Sequence, residues 1–508
     1  MRLPRPAVTL AGVGTVVLLA VGIGAGTSGG TSATAPVGVA SQPITSADLV
    51  CASAASVKGV TTAMLSAAAP GPPSAGAGAS GGSGTGTISV SRLGAPESAP
   101  PLAVAATGSP VLRYPVPVGK PVALVVRATG DYARGLTASV TSRTAAGAGR
   151  AVTTEQCTPG GSGGWFVGGG AAIGRRSVLY LTNIDAAPAT VDVTVFTPTG
   201  SQQPAPVQGR TINPGKQYAI GIDALVPGAA ATAVHVLTRS GRVAAALYDS
   251  QVNGLLPLGA DWVPPTTDPS RNVVITGIPG DAGSTRTLGL VVPGINDAVV
   301  NVHLVTTDGT LSPDPLQNVS VPAGQLVDVD LSQLPTGSPF AVVVESDQPV
   351  VAGIRTVLPP GGTKRFPDFT YAAGTSAVAG GVLLPTVQHS ATVTTELQLV
   401  APGAVDVVVQ LTTTTGAVPG ITAGLPTSTR LTVPAGQTLQ VDVGPLGPAL
   451  SSVLVQTAPG AAPLYVGWVL LEAGVHGPLV TGGPVPQTPL RLVLPPVLAD
   501  PAVGYPGH

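Results

Sequence analysis

One short turn occurs four times along this chain. The copies are Val116-Pro117-Val118-Gly119-Lys120, Ile212-Asn213-Pro214-Gly215-Lys216, Val321-Pro322-Ala323-Gly324-Gln325 and Val433-Pro434-Ala435-Gly436-Gln437, with their glycines 96, 109 and 112 residues apart. Self-similarity at a near-fixed period means that one supersecondary unit has been repeated, so the fold must be built of like modules. In each copy an apolar strand end enters a Pro-Gly turn, and a long polar residue opens the next strand.

The flanks repeat as well. Paired apolar runs precede three of the turns: Val178 to Thr182 with Val191 to Phe196, Leu288 to Val292 with Val299 to Thr306, and Leu397 to Val400 with Val405 to Leu411. A strand closing on an acid follows each, at Asp223, Asp330 and Asp442. Two more strands complete each unit. In Val299-Val300-Asn301-Val302-His303-Leu304, apolar residues alternate with Asn301 and His303, so the sheets hide one face and wet the other. About six or seven strands per hundred residues predicts an all-β chain of tandem immunoglobulin-like sandwich units. A closed β-propeller is the alternative, although its blades usually repeat at about 40 to 50 residues.

This reading divides the chain into a signal peptide or membrane anchor (1–35), an Ala/Gly/Pro/Ser-rich linker containing Cys51 (36–86), a degenerate first β unit (87–160), further units at 165–265, 270–367 and 376–485, and a Pro-rich tail (486–508). Trp165 and Trp262 head successive units and are expected to anchor their junctions, with Phe369 or Tyr371 doing so for the last. The 68 glycines and 53 prolines disfavour long helices, while 44% apolar and only 9% charged residues exclude a disordered chain.

At the N-terminus Arg2 and Arg5 precede an uncharged stretch from Ala7 to Gly26, long enough to span a bilayer core of about 30 Å. Positive charge before the span orients the remainder outward. Ala33-Thr34-Ala35 resembles a cleavage site, but Pro36 would follow the cut, so a retained anchor is favoured over secretion. Cys51 and Cys157 suit an oxidising exterior and form a candidate disulfide. A formal charge of −1 with no basic stripe argues against a nucleic-acid partner.

Chemistry-bearing patterns are sparse. Three G-x-S-x-G matches, at 26–30, 78–82 and 160–164, lie in glycine-rich sequence without the strand and helix of a nucleophile elbow. Gly76 to Gly81 spells a dinucleotide pattern without its acidic partner. His235, His303, His389, His476 and His508 never pair at ligand spacing, and His235 and His303 read as related strand positions of successive repeats. Asp328 and Asp330 share a strand face and are the one candidate acid pair, but Asp330 matches Asp223 and Asp442 and so reads as a residue of the fold. No catalytic, cofactor or metal set is expected.

Cys157-Thr158-Pro159 leading to Trp165-Phe166-Val167, then Leu179-Tyr180-Leu181-Thr182-Asn183 and Val191-Asp192-Val193-Thr194-Val195, resembles the actinobacterial family known as domain of unknown function 5719. The resemblance implies one N-terminal anchor, an extracytoplasmic β-rich body and no established catalytic residues. The reading is a non-enzymatic cell-envelope protein, membrane-anchored or secreted, serving as a scaffold or protein-interaction module. Its expected partners are the membrane, through the N-terminal segment, and envelope proteins. The alternative is a glycan-binding module taking polysaccharide, which predicts a row of exposed aromatics.

Overall fold

Among the described residues strands account for 60%, and no helix reaches seven residues. A computed structural model describes residues 41–52, 61–70, 85–96, 98–119, 122–332, 337–362, 365–414, 427–447, 450–487 and 491–493. The expected anchor at 1–35, the Gly76–Gly81 pattern and most of the tail lie outside these residues. Among the described residues no helix is long and apolar enough to cross a membrane.

Residues 44–490 form one unit, and 1–43 with 491–508 form a second, in which Ser41–Pro43 pairs antiparallel with Arg491–Val493. The larger unit contains four sandwich lobes, each with its own aliphatic core. In each lobe the inner sheet runs edge strand, long strand, long strand, axial strand. In the second lobe these are Lys216–Gly221, Arg175–Asn183, Ala244–Asn253 and Leu256–Val263. In the fourth they are Gln437–Asp442, Val393–Ala401, Tyr465–Gly474 and Gly477–Pro484. The third lobe uses one run, Phe340–Leu358, in both of its sheets. Residues up to Ser346 pair with the outer strand Ala298–Thr306, and those from Val351 pair with the inner strand Thr285–Val291, with Pro349 at the passage between them. Its axial strand, Asp368–Thr375, lies beyond residue 367, where the sequence reading ended that unit.

The first lobe corrects that reading further. Ser46–Cys51 and Thr62–Ala68, inside the stretch expected to be linker, are strands of its two sheets. Cys51 and Cys157 are disulfide-bonded, with Cα atoms 4.4 Å apart, and line the core of this lobe. The turn at Gly119 precedes the outer strand Leu124–Thr129, so it is not a copy of the turns at Gly215, Gly324 and Gly436. The true counterpart is Gly108, before the inner edge strand Val111–Pro115. Gly108, Gly215, Gly324 and Gly436 all have positive φ (77°, 63°, 72° and 68°), where glycine escapes the Cβ penalty. Substituting Gly108 regularises the spacing to 107, 109 and 112 residues.

The lobes also close on one another. The four axial strands, Ala151–Gln156, Leu256–Val263, Asp368–Thr375 and Gly477–Pro484, each touch two of the others around a common centre. Apolar clusters seal the junctions. Trp262 packs with Tyr180, Tyr248, Ala52 and Ala151 between the first and second lobes, and Trp165 packs near Val291, Leu326 and Val351 between the second and third. Val274 and Val305 meet Val400 between the third and fourth, and Ala68 and Val111 meet Leu383 between the fourth and first. Phe369 and Tyr371, on the third lobe's axial strand, insert into the core of the second.

Candidate functional site

Where the axial strands converge, the aliphatic chain buries a set of polar and ionisable groups. Asp261, Thr370 and Thr481 occupy one register position on three axial strands, opposite Asp249, Thr356 and Leu470. The Asp261 carboxylate is 1% exposed and accepts from all four lobes. Its Oδ1 receives the Thr154 N–H (3.3 Å, first lobe), the Trp262 N–H (2.9 Å, second lobe) and the Thr481 hydroxyl (3.0 Å, fourth lobe). Its Oδ2 receives the Thr370 hydroxyl of the third lobe at 2.7 Å. Burial pushes the carboxyl up to about 8, against the pull of these bonds.

Asp368 repeats the device one lobe on. Its carboxylate accepts the N–H groups of Phe369 (3.0 Å), Val480 (3.0 Å) and Ala260 (3.4 Å), and burial raises its pKa well above the usual carboxylate range. Arg150 of the first lobe, fully buried, donates to the carbonyls of Gly477 (2.5 Å) and Pro478 (3.0 Å) of the fourth. Glu155 of the first lobe's axial strand accepts the Ala52 N–H. Beside the hub, Asp249 pairs with Arg175 (3.0 Å) and accepts from Ser177 (2.6 Å) and from Tyr371 of the third lobe (2.6 Å). A buried polar group without a partner costs about 1 to 3 kcal/mol, so these bonds hold the lobes to one arrangement.

Two hollows among the described residues have room for a small molecule. The larger, about 550 Å³ and open to solvent, is lined by Asp268, Ser270, Asn272, Thr375, Ser376 and Tyr465. The smaller, about 150 Å³, lies between the second and third lobes, and Arg175, Arg355, Asp328 and Tyr371 face it.

The residues singled out from sequence disperse over this frame. Asp328 lines the smaller cleft, but Asp330 does not. The Asp330 carboxylate accepts from the Ser332 hydroxyl and from the Ser332 N–H (2.8 Å), which together lower its pKa, and Asp442 caps the Gly444 N–H at 2.9 Å. His235 and His303 are not equivalent. His235 pairs in register with Thr194, and it is Thr194 whose strand corresponds to that of His303. His235 stacks on Trp165 at 3.9 Å, and burial lowers its pKa. His303 meets Ser312 at 2.7 Å. Ser162, in the G-x-S-x-G match at 160–164, precedes the strand Gly163–Val167 and opens no helix. Among the described residues no group of three or more His, Cys, Asp or Glu is placed to hold a metal ion.

Sequence reasoning missed Asp249, Asp261, Asp368, Arg150 and Arg355. A signal was available in a chain with 9% charged residues: Tyr248-Asp249 and Ala260-Asp261-Trp262 set an acid among residues that otherwise read as buried strand.

The model of a family of unknown function, DUF5719, matches residues 116–457, about two thirds of the chain and most of the second to fourth lobes. The chain belongs to the DUF5719 family. That match begins at the end of the first lobe's inner edge strand, so the DUF5719 region takes in the axial strands of three lobes whole and starts inside the first. No curated protein matches the chain. Among solved structures, the crystal structure of Thermotoga maritima 1070 is similar at 15% identity with a TM-score of 0.19, covering 22% of this chain and 96% of its own.

Proposed function

We propose that this DUF5719 protein is a non-enzymatic component of the cell envelope, anchored in the membrane or secreted through its N-terminal segment, and that its β body is a scaffold for envelope proteins. The observation that supports this most is the use made of the buried ionisable groups. Asp261, Asp368, Arg150 and Asp249 are spent on bonds between lobes, which suits a body whose task is to hold surfaces at fixed positions. The disulfide between Cys51 and Cys157 accords with an oxidising compartment. The uncharged Ala7 to Gly26 stretch accords with a tether.

Glycan binding is the second reading, favoured by the open groove of about 550 Å³ whose Asp268, Asn272 and Tyr465 suit sugar hydroxyls and a sugar face. Against it, Trp165, Trp262 and Trp468 are all buried in packing, so none of the three offers an exposed stacking platform. The test is capture by tagged full-length protein from envelope fractions separated into protein and polysaccharide. Retention of defined proteins supports the scaffold, and retention of polysaccharide alone overturns it in favour of the glycan module.

A further inference from the structure

The smaller cleft carries two charged side chains, Asp328 and Arg355, that form no direct ion pair among the described residues. Its floor is the third lobe's inner sheet, where Asp328 stands opposite Gly289, Gly289 opposite Gly353, and Arg355 lies two residues beyond Gly353 on the same face. Side chains alternate between faces of a strand, so Asp328 and Arg355 flank a gap of two glycines. Val167 of the second lobe closes over that gap. A Cβ on either glycine would lie 2.9 Å from an atom of Val167, so larger residues there would push the lobes apart.

Three charged residues face the cleft, and their states differ. Arg175 is fully employed: it pairs with Asp249, donates to the Ala230 carbonyl at 2.8 Å and meets the Tyr371 hydroxyl at 2.7 Å. Arg355 is held in place but not neutralised. Its Nη2 donates to Gln251 Oε1 at 2.8 Å, its guanidinium lies 4.2 Å from the centre of the Phe369 ring, and it has no carboxylate partner among the described residues. Asp328 sits at the cleft rim, and its carboxylate has neither a hydrogen bond nor an ion pair among the described residues. Its outer edge is open to water, while desolvation by the cleft walls raises its pKa and the charge of Arg175 opposes that rise. The cleft thus presents one positioned cation and one anion that do not bond to each other. Both stand on paired strands of one sheet, which fix the separation of their backbones.

We propose that this cleft binds a small zwitterion, its carboxylate on the Arg355 guanidinium and its ammonium on the Asp328 carboxylate. Charge-assisted hydrogen bonds of this kind are about twice as strong as neutral ones, and a ligand carrying both charges is the simplest that satisfies both sides. A cavity of about 150 Å³ takes a molecule of roughly benzene size, which limits the ligand to an amino acid with a small side chain. The inference is independent of the scaffold reading.

Titration calorimetry of the full-length protein against glycine, alanine, β-alanine, acetate and methylammonium tests it. At least one of the three zwitterions should bind, with acetate and methylammonium at least tenfold weaker. Asp328→Asn and Arg355→Gln should each weaken binding tenfold or more, and Arg355→Lys should restore part of the loss. Asp328→Asn, at the rim, should leave the unfolding midpoint of the unliganded protein unchanged, so it carries the test even if Arg355→Gln disturbs the lobe junction. Absence of heat with all three zwitterions overturns the proposal. So does acetate binding as tightly as alanine with no effect of Asp328→Asn, which would make the cleft a plain anion site.

Discussion

Asp261 has the most leverage of any residue here, because one carboxyl group serves all four lobes. Its folded-state pKa of about 8 stands far above the ordinary value of 3.8. The folded protein therefore holds a proton that the unfolded chain has released. Linkage then gives the sign: the contribution is complete below about pH 4, declines by up to about 1.4 kcal/mol per pH unit as pH rises, and is gone once pH passes about 8. Asp368 shifts in the same direction. Asp261→Asn keeps an acceptor on one side and offers a donor to Thr370 on the other, so it should fold while flattening the fall of the unfolding midpoint between pH 5 and 8. Thermal melts of the two proteins across that range check this. Asp261→Ala strands the N–H groups of Thr154 and Trp262 and two hydroxyls, and should lose about 3 kcal/mol or more in denaturant unfolding. None of this was legible from local pattern. That an acid in an apolar strand must be buried can be inferred from its neighbours, but its partners in the other lobes come from residues 107 to 220 positions away.

At the scale of elements the sequence was most informative where the physics is local. Period-2 alternation and Pro-Gly turns located the strands of the second to fourth lobes, because a half-buried strand and a positive-φ turn leave their marks in a few consecutive residues. The turn at Gly324 gives a direct check. Its nearest side-chain neighbour to an added Cβ, Ser201 Oγ, is 3.7 Å away, so Gly324→Ala should cost only the backbone penalty of about 1 kcal/mol, measured by denaturant unfolding. The first lobe departs from the linker expectation for an equally physical reason. Its strands Ser46–Cys51 and Thr62–Ala68 are short and lie among Ala- and Ser-rich residues, with glycine-rich sequence after the second, so composition resembles a linker even though pairing makes them strands. The disulfide ties Cys51 to Cys157 across 106 residues. Replacing both cysteines by alanine should destabilise the protein by about 4 to 5 kcal/mol on the chain-entropy account, with the loss seen in the unfolding midpoint under non-reducing conditions.

For the whole molecule, tandem sandwiches and propeller blades turned out to be less distinct than the sequence suggested. The repeat has the length and two-sheet build of a sandwich, yet the lobes of residues 44–490 meet around a shared centre as blades do. Ring closure depends on contacts such as Ser139 with Thr386 and Arg143 with Glu472, between the first and fourth lobes, which no periodicity encodes. Modules strung on linkers would each unfold at their own temperature, whereas lobes that share a buried hub must lose it together. Differential scanning calorimetry of the intact, oxidised protein near pH 6 distinguishes the two. The locked arrangement predicts one dominant transition for the four lobes, with calorimetric and van 't Hoff enthalpies in agreement, and an Asp261→Ala variant in which that transition splits or broadens. Four separable transitions in the wild-type protein, unaltered by the substitution, would contradict it.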